Sequence, residues 1–234
     1  MKKYYFGRRN ILELLIKLGG REIIIHASIV NTIFVVLGLS LFALYVNKKM
    51  KEANVDEKPT GFQNVIEIAV EAINDLVETN MGEKNMHFAP YILTLMFFLA
   101  IANLLGLIGL KPPTSDYSVT FSLAIITFFT TQIMLFKTRQ GLGGYLKSFT
   151  EPFVLLTPIN VIGELANPVS LSFRLFGNIL SGGIIMTLLY GALGYFAPIV
   201  TPVLHGYFDV FSGLLQTFIF GMLTMIFISG ATEE

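Results

Sequence analysis

The sequence predicts an all-α integral membrane protein with five transmembrane helices, the last two long and steeply tilted, plus one amphipathic interfacial helix. Three observations predict it. Of the 234 residues, 53% are hydrophobic and 14% charged, and the mean hydropathy is +0.68, a balance suited to lipid. Five runs with few or no charges, 23–46, 89–110, 117–136, 150–190 and 196–229, are each long enough to span. One stretch, 60–80, instead alternates apolar and acidic residues at helical spacing. All 234 residues read as a single membrane domain.

Composition also excludes functions. Net charge is zero, so no long-range field recruits nucleic acid. There are no cysteines, and His26, His87 and His205 show no metal-ligand spacing. No phosphate-binding loop, GxSxG or HExxH is present. The chain is therefore expected to be no enzyme on its own and to need no cofactor.

Residues 1–22 are basic, with Lys2, Lys3, Arg8, Arg9, Lys17 and Arg21 among interleaved leucines and isoleucines. They read as a short surface helix, with an apolar run too late and too long for a signal peptide. The first span, 23–46, ends at Asn47-Lys48-Lys49. In 60–80, Phe62, Val65, Ile66, Ala69, Ile73, Leu76 and Val77 share one helical face, and Glu67, Glu71, Asp75 and Glu78 the other. This is a helix lying along the interface, held by protein packing because its polar face is acidic. The spans 89–110 and 117–136 form a hairpin about the stiff turn Lys111-Pro112-Pro113-Thr114. Asn103 reads as an interhelical hydrogen-bonding residue.

The tilted pair covers 150–229. Its first run is about 60 Å long if continuous helix, twice the roughly 30 Å hydrocarbon core. Pro152, Pro158 and Pro168 are expected to break or kink it, and the remainder must tilt. The second contains Pro198 and Pro202. Lys48, Lys49, Lys51, Lys58, Lys84, Lys137, Arg139 and Lys147 fall on one side of the five spans, which should be cytoplasmic. This puts the C-terminus inside and the N-terminus outside, against the pull of the basic N-terminal segment.

One stretch organises the chain, NVIGELANPVSLSFRLFGNILSGGIIMTLLY from Asn160 to Tyr190. Between Glu164 and Asp209, Arg174 is the only formal charge if His205 is neutral. A charge in such a span costs ~3 to ~15 kcal/mol depending on the reference state. A guanidinium cannot shed it, and apolar turns on both sides leave it too far from a headgroup to snorkel. Asn167, Ser170, Arg174, Asn178 and Ser181 share a small, polar face, with Gly177 and Gly182 along its edge. That pattern describes a fixed cation on a groove against which a partner presses, beside an ion path. Glu164 lies ten residues before Arg174, almost three turns, toward the cytoplasmic end. His205, Asp209, Ser212 and Gln216 sit at i, i+4, i+7 and i+11, a second polar stripe within the last run.

PVSLSFRLFGN closely resembles the signature of the a subunit of F-type ATP synthases. PTGFQNVIEIAVEAINDLV (59–77), FLAIANLLGL (98–107), VTFSLA (119–124) and LLQTFIFGMLTMIF (214–227) resemble that family in its order, from about Lys58 to the end. The resemblance implies a static ion-translocating subunit in the bacterial cell membrane, with the c-ring, the b-subunit peripheral stalk and the rest of the ATP synthase as partners. It implies two offset half-channels, each reaching a carboxylate on the ring, kept apart by the arginine. Arg174 matches the family's essential arginine, Asn178 the asparagine one turn on, Gln216 the glutamine facing the arginine, and Glu164 an acid seen before it. Many proton-driven members have a glutamate where this chain has Gly183, and some a histidine where it has Asp209. Proton is the first expectation for the coupling ion. Sodium is the alternative, with Asp209, Ser212 and Gln216 as oxygen ligands. Two rivals stand outside the resemblance. An independent transporter or channel would show internal repeats, and none is evident here. A purely structural membrane subunit would leave Arg174, Asp209 and Glu164 unexplained.

Overall fold

The computed structural model describes residues 14–18, 21–52, 60–151 and 153–232. Beyond a short hairpin the described chain is helical. Strands β1 (Leu14–Leu18) and β2 (Arg21–Ile25) pair antiparallel, Leu14 opposite Ile25 and Leu18 opposite Arg21. This corrects the surface helix expected over 1–22, of which 1–13, 19 and 20 lie outside the described residues, and leaves the expected all-helical class in place for the described chain from Ala27 on. The cause is Ile23-Ile24-Ile25, a β-branched run that resists helix and suits a strand.

Helix α1 (Ala27–Lys51) starts four residues later than the expected span and ends five later. Charge at Lys48, Lys49 and Lys51 ends the apolar stretch but not the helix, since lysines in a last turn complement the helix dipole. Two hydrogen bonds tie the start of α1 to the hairpin turn. Ser28 Oγ donates to Asp116 Oδ2 at 2.8 Å, and Asn31 Nδ2 to the Lys111 carbonyl at 2.8 Å. Burial pushes the Asp116 carboxyl up. The hydrogen bonds from Ser28 and Ser118, with His26 nearby, outweigh it and hold the carboxyl below its usual range.

Helix α2 (Gly61–Met81) opens with a reciprocal capping box between Thr60 and Gln63. Val77 and Met81 are buried, Phe62, Ile66, Ala69, Ile73 and Leu76 half-buried, and Glu67, Glu71, Asp75 and Glu78 exposed. Val65 is the exception on the apolar face, at 62% exposed.

Helices α3 (Ala89–Leu104) and α4 (Tyr117–Thr138) form the hairpin. A tight helical turn over Leu105–Ile108 extends α3, and Gly109, at φ +73°, ends it. A seven-residue α5 (Leu142–Ser148) follows α4.

Among the described residues four stretches are long and apolar enough to cross a membrane: Ala27–Lys51, Glu83–Ile108, Tyr117–Thr138 and the 79-residue Val154–Thr232. The last holds both runs expected to be tilted. As straight helix it would exceed 100 Å, and Gly194, at φ +48°, divides it. Before the glycine runs α6 (Thr157–Leu193). After it come α7 (Ala197–His205), a π-helical segment Gly206–Phe211, and α8 (Ser212–Thr232). Both α7 and α8 pack back against α6. Two of the three prolines expected to break or kink the first run are described. Pro158 starts α6, in the first turn where a missing N–H costs nothing, and Pro168 lies inside the continuous helix. Pro152 lies outside the described residues.

The core lies where α3, α4, α6 and α8 meet, around Leu99, Ala102, Ala124, Leu175 and Phe220. A second cluster under α2 holds Val77, Ile92, Met225 and Ile228. Small residues bring α3 and α8 close. A Cβ on Gly213 would sit 3.2 Å from Asn103 Cβ, and one on Gly221 3.0 Å from Met96.

Candidate functional site

Helix α6 presents two faces. Pro168, Leu171, Ser172, Leu175, Gly182 and Met186 are buried against the body of the molecule. Ser170, Arg174 and Ser181 lie on the exposed side with Asn178, and Asn167 and Gly177 are half-buried at its margin. The structure thus brings six of the predicted groove residues onto one surface. Gly182 is a correction. It is buried and faces the π segment, its Cβ position 3.7 Å from the Phe208 ring, an ordinary van der Waals contact. Among the described residues no carboxylate lies within ion-pair distance of Arg174.

Beneath that face, Gln216 on α8 is 1% exposed. Asn178 Nδ2 donates to Gln216 Oε1 at 2.6 Å, which joins α6 to α8 one turn beyond Arg174. The Gln216 Nε2 is buried with no hydrogen-bond partner. An unmatched buried amide is costly and calls for a water, an ion or a partner group.

Toward the N-terminal end of α6, Glu164 is half-buried and accepts from Gln132 Nε2 at 2.9 Å. Gln132 Oε1 in turn accepts from the Tyr145 hydroxyl at 2.8 Å, so α5 is held over this acid. Beside Glu164 a cleft of about 10 Å³, lined by Thr127, Thr131 and Asn167 among others, has room for about one water.

Near the other end of α6, His205 Nδ1 meets Asp209 Oδ2, and His205 Nε2 meets the Tyr190 hydroxyl at 2.8 Å. The His205 side chain is 31% exposed and that of Asp209 23%. Asp209 rests on Gly106, whose Cβ position lies 3.5 Å from its carboxyl carbon. The four-residue stripe assumed regular helix, but the π segment interrupts it. His205 and Asp209 turn toward Tyr190 and Gly106, Gln216 turns toward Asn178, and Ser212 is half-buried where α8 begins.

A third polar group supports the site without reaching Arg174. Asn103 Nδ2 donates to the Gly213 carbonyl at 3.0 Å and to Thr217 Oγ1 at 3.2 Å, while its Oδ1 accepts from Thr114 at 2.7 Å. This bears out the expected interhelical role of Asn103. Sequence reasoning missed Tyr190, Gln132, Tyr145 and Gly106. Gly106 falls within the family-like stretch 98–107 but carries no polar group to mark it, and of the other three only Gln132, polar within an apolar run, could have been marked.

A family model described as ATP synthase A chain matches residues 28–229. The chain is 36% identical over 212 residues to "ATP synthase subunit a" of Geobacter sulfurreducens, covering 88% of each. It is 39% identical over 181 residues to "ATP synthase subunit a 3" of Pelobacter propionicus, covering 75% of this chain and 76% of that one. It is 34% identical over 224 residues to "ATP synthase subunit a, sodium ion specific" of Propionigenium modestum, covering 88% of this chain and 74% of that one.

Proposed function

Because the chain belongs to the ATP synthase A chain family, we propose that it is the ion-translocating stator subunit of a rotary ATP synthase, with Arg174 separating two half-channels. The observation that carries this reading is the placement of Arg174. It is exposed on the polar face of α6, free of any ion pair among the described residues, between Glu164 toward one end and the His205–Asp209 pair toward the other. A fixed cation facing outward in an apolar protein calls for an anionic partner, and a carboxylate on a rotating c-ring has that chemistry. Asn167, Ser170, Gly177, Asn178 and Ser181 form the small-residue surface against which ring helices would pass.

In this reading Arg174 holds a facing ring carboxylate ionised. The carboxylate cannot enter lipid until it is neutralised by an ion from one half-channel, and it gives up that ion to the other on return. Asp209, with His205, serves the outer route, and Glu164 the inner. Gln216 and Asn178 line the region between. Five crossings, with α6 and the α7–α8 run inclined along the ring, place the C-terminus in the cytoplasm and α2 along the interface. The b-subunit stalk and the rest of the complex hold the chain static in the bacterial cell membrane.

Proton is the coupling ion we favour. A sodium-driven version has one observation behind it, the sodium-specific relative at 34% identity. The test of the stator reading is Arg174→Ala in the assembled complex. Ion-driven ATP synthesis should fall to background, with passive ion leak. Arg174→Lys should not restore it fully, since a buried lysine can lose its proton. Synthesis near the parent rate in Arg174→Ala would overturn the reading.

A further inference from the structure

Tyr190 ends the organising stretch 160–190 without any role assigned to it, yet it closes the polar chain that ends at Asp209. It sits on the last turn of α6, 45% exposed, with its hydroxyl 2.8 Å from His205 Nε2. The opposite ring nitrogen, Nδ1, faces Asp209 Oδ2. A histidine gripped at both nitrogens has a fixed ring orientation and a tautomer set by its partners. Here an exposed phenol, a half-buried imidazole and a half-buried carboxylate stand in line, and the carboxylate packs beside Gly106.

We propose that Tyr190 is a positioning residue of the outer access route, holding His205 so that Tyr190, His205 and Asp209 form a relay for protons and not for sodium. This rests on the stator reading given above. A proton from water is taken up at His205 Nε2, and the Tyr190 hydroxyl turns to accept from the new N–H without carrying the proton itself. The Nδ1 proton then passes to the Asp209 carboxylate. The ring is left neutral with its proton on Nε2, and exchange with water at its exposed edge restores the first tautomer. Only N–H and O–H bonds change. A hard cation such as sodium takes oxygen ligands, and the nitrogen between the two oxygens gives it no continuous oxygen path.

Few other charged groups act on this chain. The π segment carries Tyr207 besides Asp209, and α7 and α8 carry no titratable side chain except His205. The neighbouring α3 brings Tyr91, hydrogen-bonded to Thr127, and the turn at Leu105–Ile108 brings none. Helix α6 brings Tyr190, with Arg174 four turns and more toward its start.

The test is Tyr190→Phe in the assembled complex in membrane vesicles, with rates taken per assembled complex. The Tyr190 oxygen accepts from the Nε2–H of the imidazolium, and bonds to a charged group are the stronger ones. Without it the protonated relay forms less readily. The alkaline limb of proton-driven ATP synthesis should move about one pH unit lower, so that the rate is about tenfold down on that limb and within about twofold at the acid end. An unchanged profile, or a loss by the same factor at every pH, would overturn the proposal. A second measurement needs no variant. In the parent complex, added sodium should leave synthesis and hydrolysis within about twofold at neutral pH, and stimulation beyond that would overturn it. Either negative result leaves the outcome for Arg174→Ala untouched, so a failed relay and a failed stator reading are distinguishable.

Discussion

Asn103 shows what a single polar residue does inside an apolar bundle. Its three side-chain hydrogen bonds join α3 to α8 and to the turn before α4. Interhelical bonds in membranes average about 0.6 kcal/mol each, with a maximum near 1.7. Asn103→Ala should therefore cost about 2 kcal/mol, measured by chemical unfolding in detergent, and Thr114 would be left buried without its acceptor. A loss below about 0.5 kcal/mol would mean that the pair is held by the Gly213 and Gly221 contacts instead. At this scale the sequence was most informative where charge meets apolar surroundings. Arg174, Asp209 and Glu164 are legible because burying a charge is expensive wherever its partner lies. Tyr190 and Gln132 are not, because a phenol or an amide is tolerable in many settings. Their significance comes from partners 15 and 32 residues away.

Elements were legible where period and composition agree. The amphipathic α2 and the α3–α4 hairpin follow from apolar spacing and from the prolines between. The π segment at Gly206–Phe211 was not, because its altered hydrogen-bond ladder leaves no period in the side chains. Yet it decides where Asp209 points. Helix α5 depends on one glycine instead. A Cβ at Gly144 would collide with the Arg139 carbonyl oxygen, a backbone atom that cannot swing aside, whereas Gly143 has open space. Gly144→Ala should displace α5 and pull the Tyr145 hydroxyl from Gln132, uncovering Glu164. Trypsin should then cut at Arg139 and Lys147 several-fold faster in inside-out vesicles, with Gly143→Ala at the parent rate. Equal cleavage in both variants would show that α5 does not depend on this close approach.

At the scale of the whole molecule the question is which side each acid faces. The 79-residue run from Val154 to Thr232 must fold back at Gly194 to fit a bilayer, and α6 alone, at about 55 Å, exceeds the core thickness. Glu164 and the Tyr190–His205–Asp209 chain lie toward opposite ends of α6, with Arg174 between them. Ten residues of helix set Glu164 about 15 Å from Arg174 along the axis. The basic loop residues Lys137, Arg139 and Lys147 lie on the Glu164 side of the chain order, which the positive-inside rule predicts to be cytoplasmic. The sequence contains no cysteine, so a single introduced thiol gives a clean signal. Glu164→Cys should react with a small, membrane-impermeant thiol reagent added from the cytoplasmic side of the assembled complex. Asp209→Cys should react with the same reagent added from outside. Neither experiment needs the variant to be active, since labelling is the readout and co-purification of the partner subunits reports assembly. Reaction of both from one side would end the reading of two half-channels separated by Arg174, because the barrier would then have no second compartment to guard.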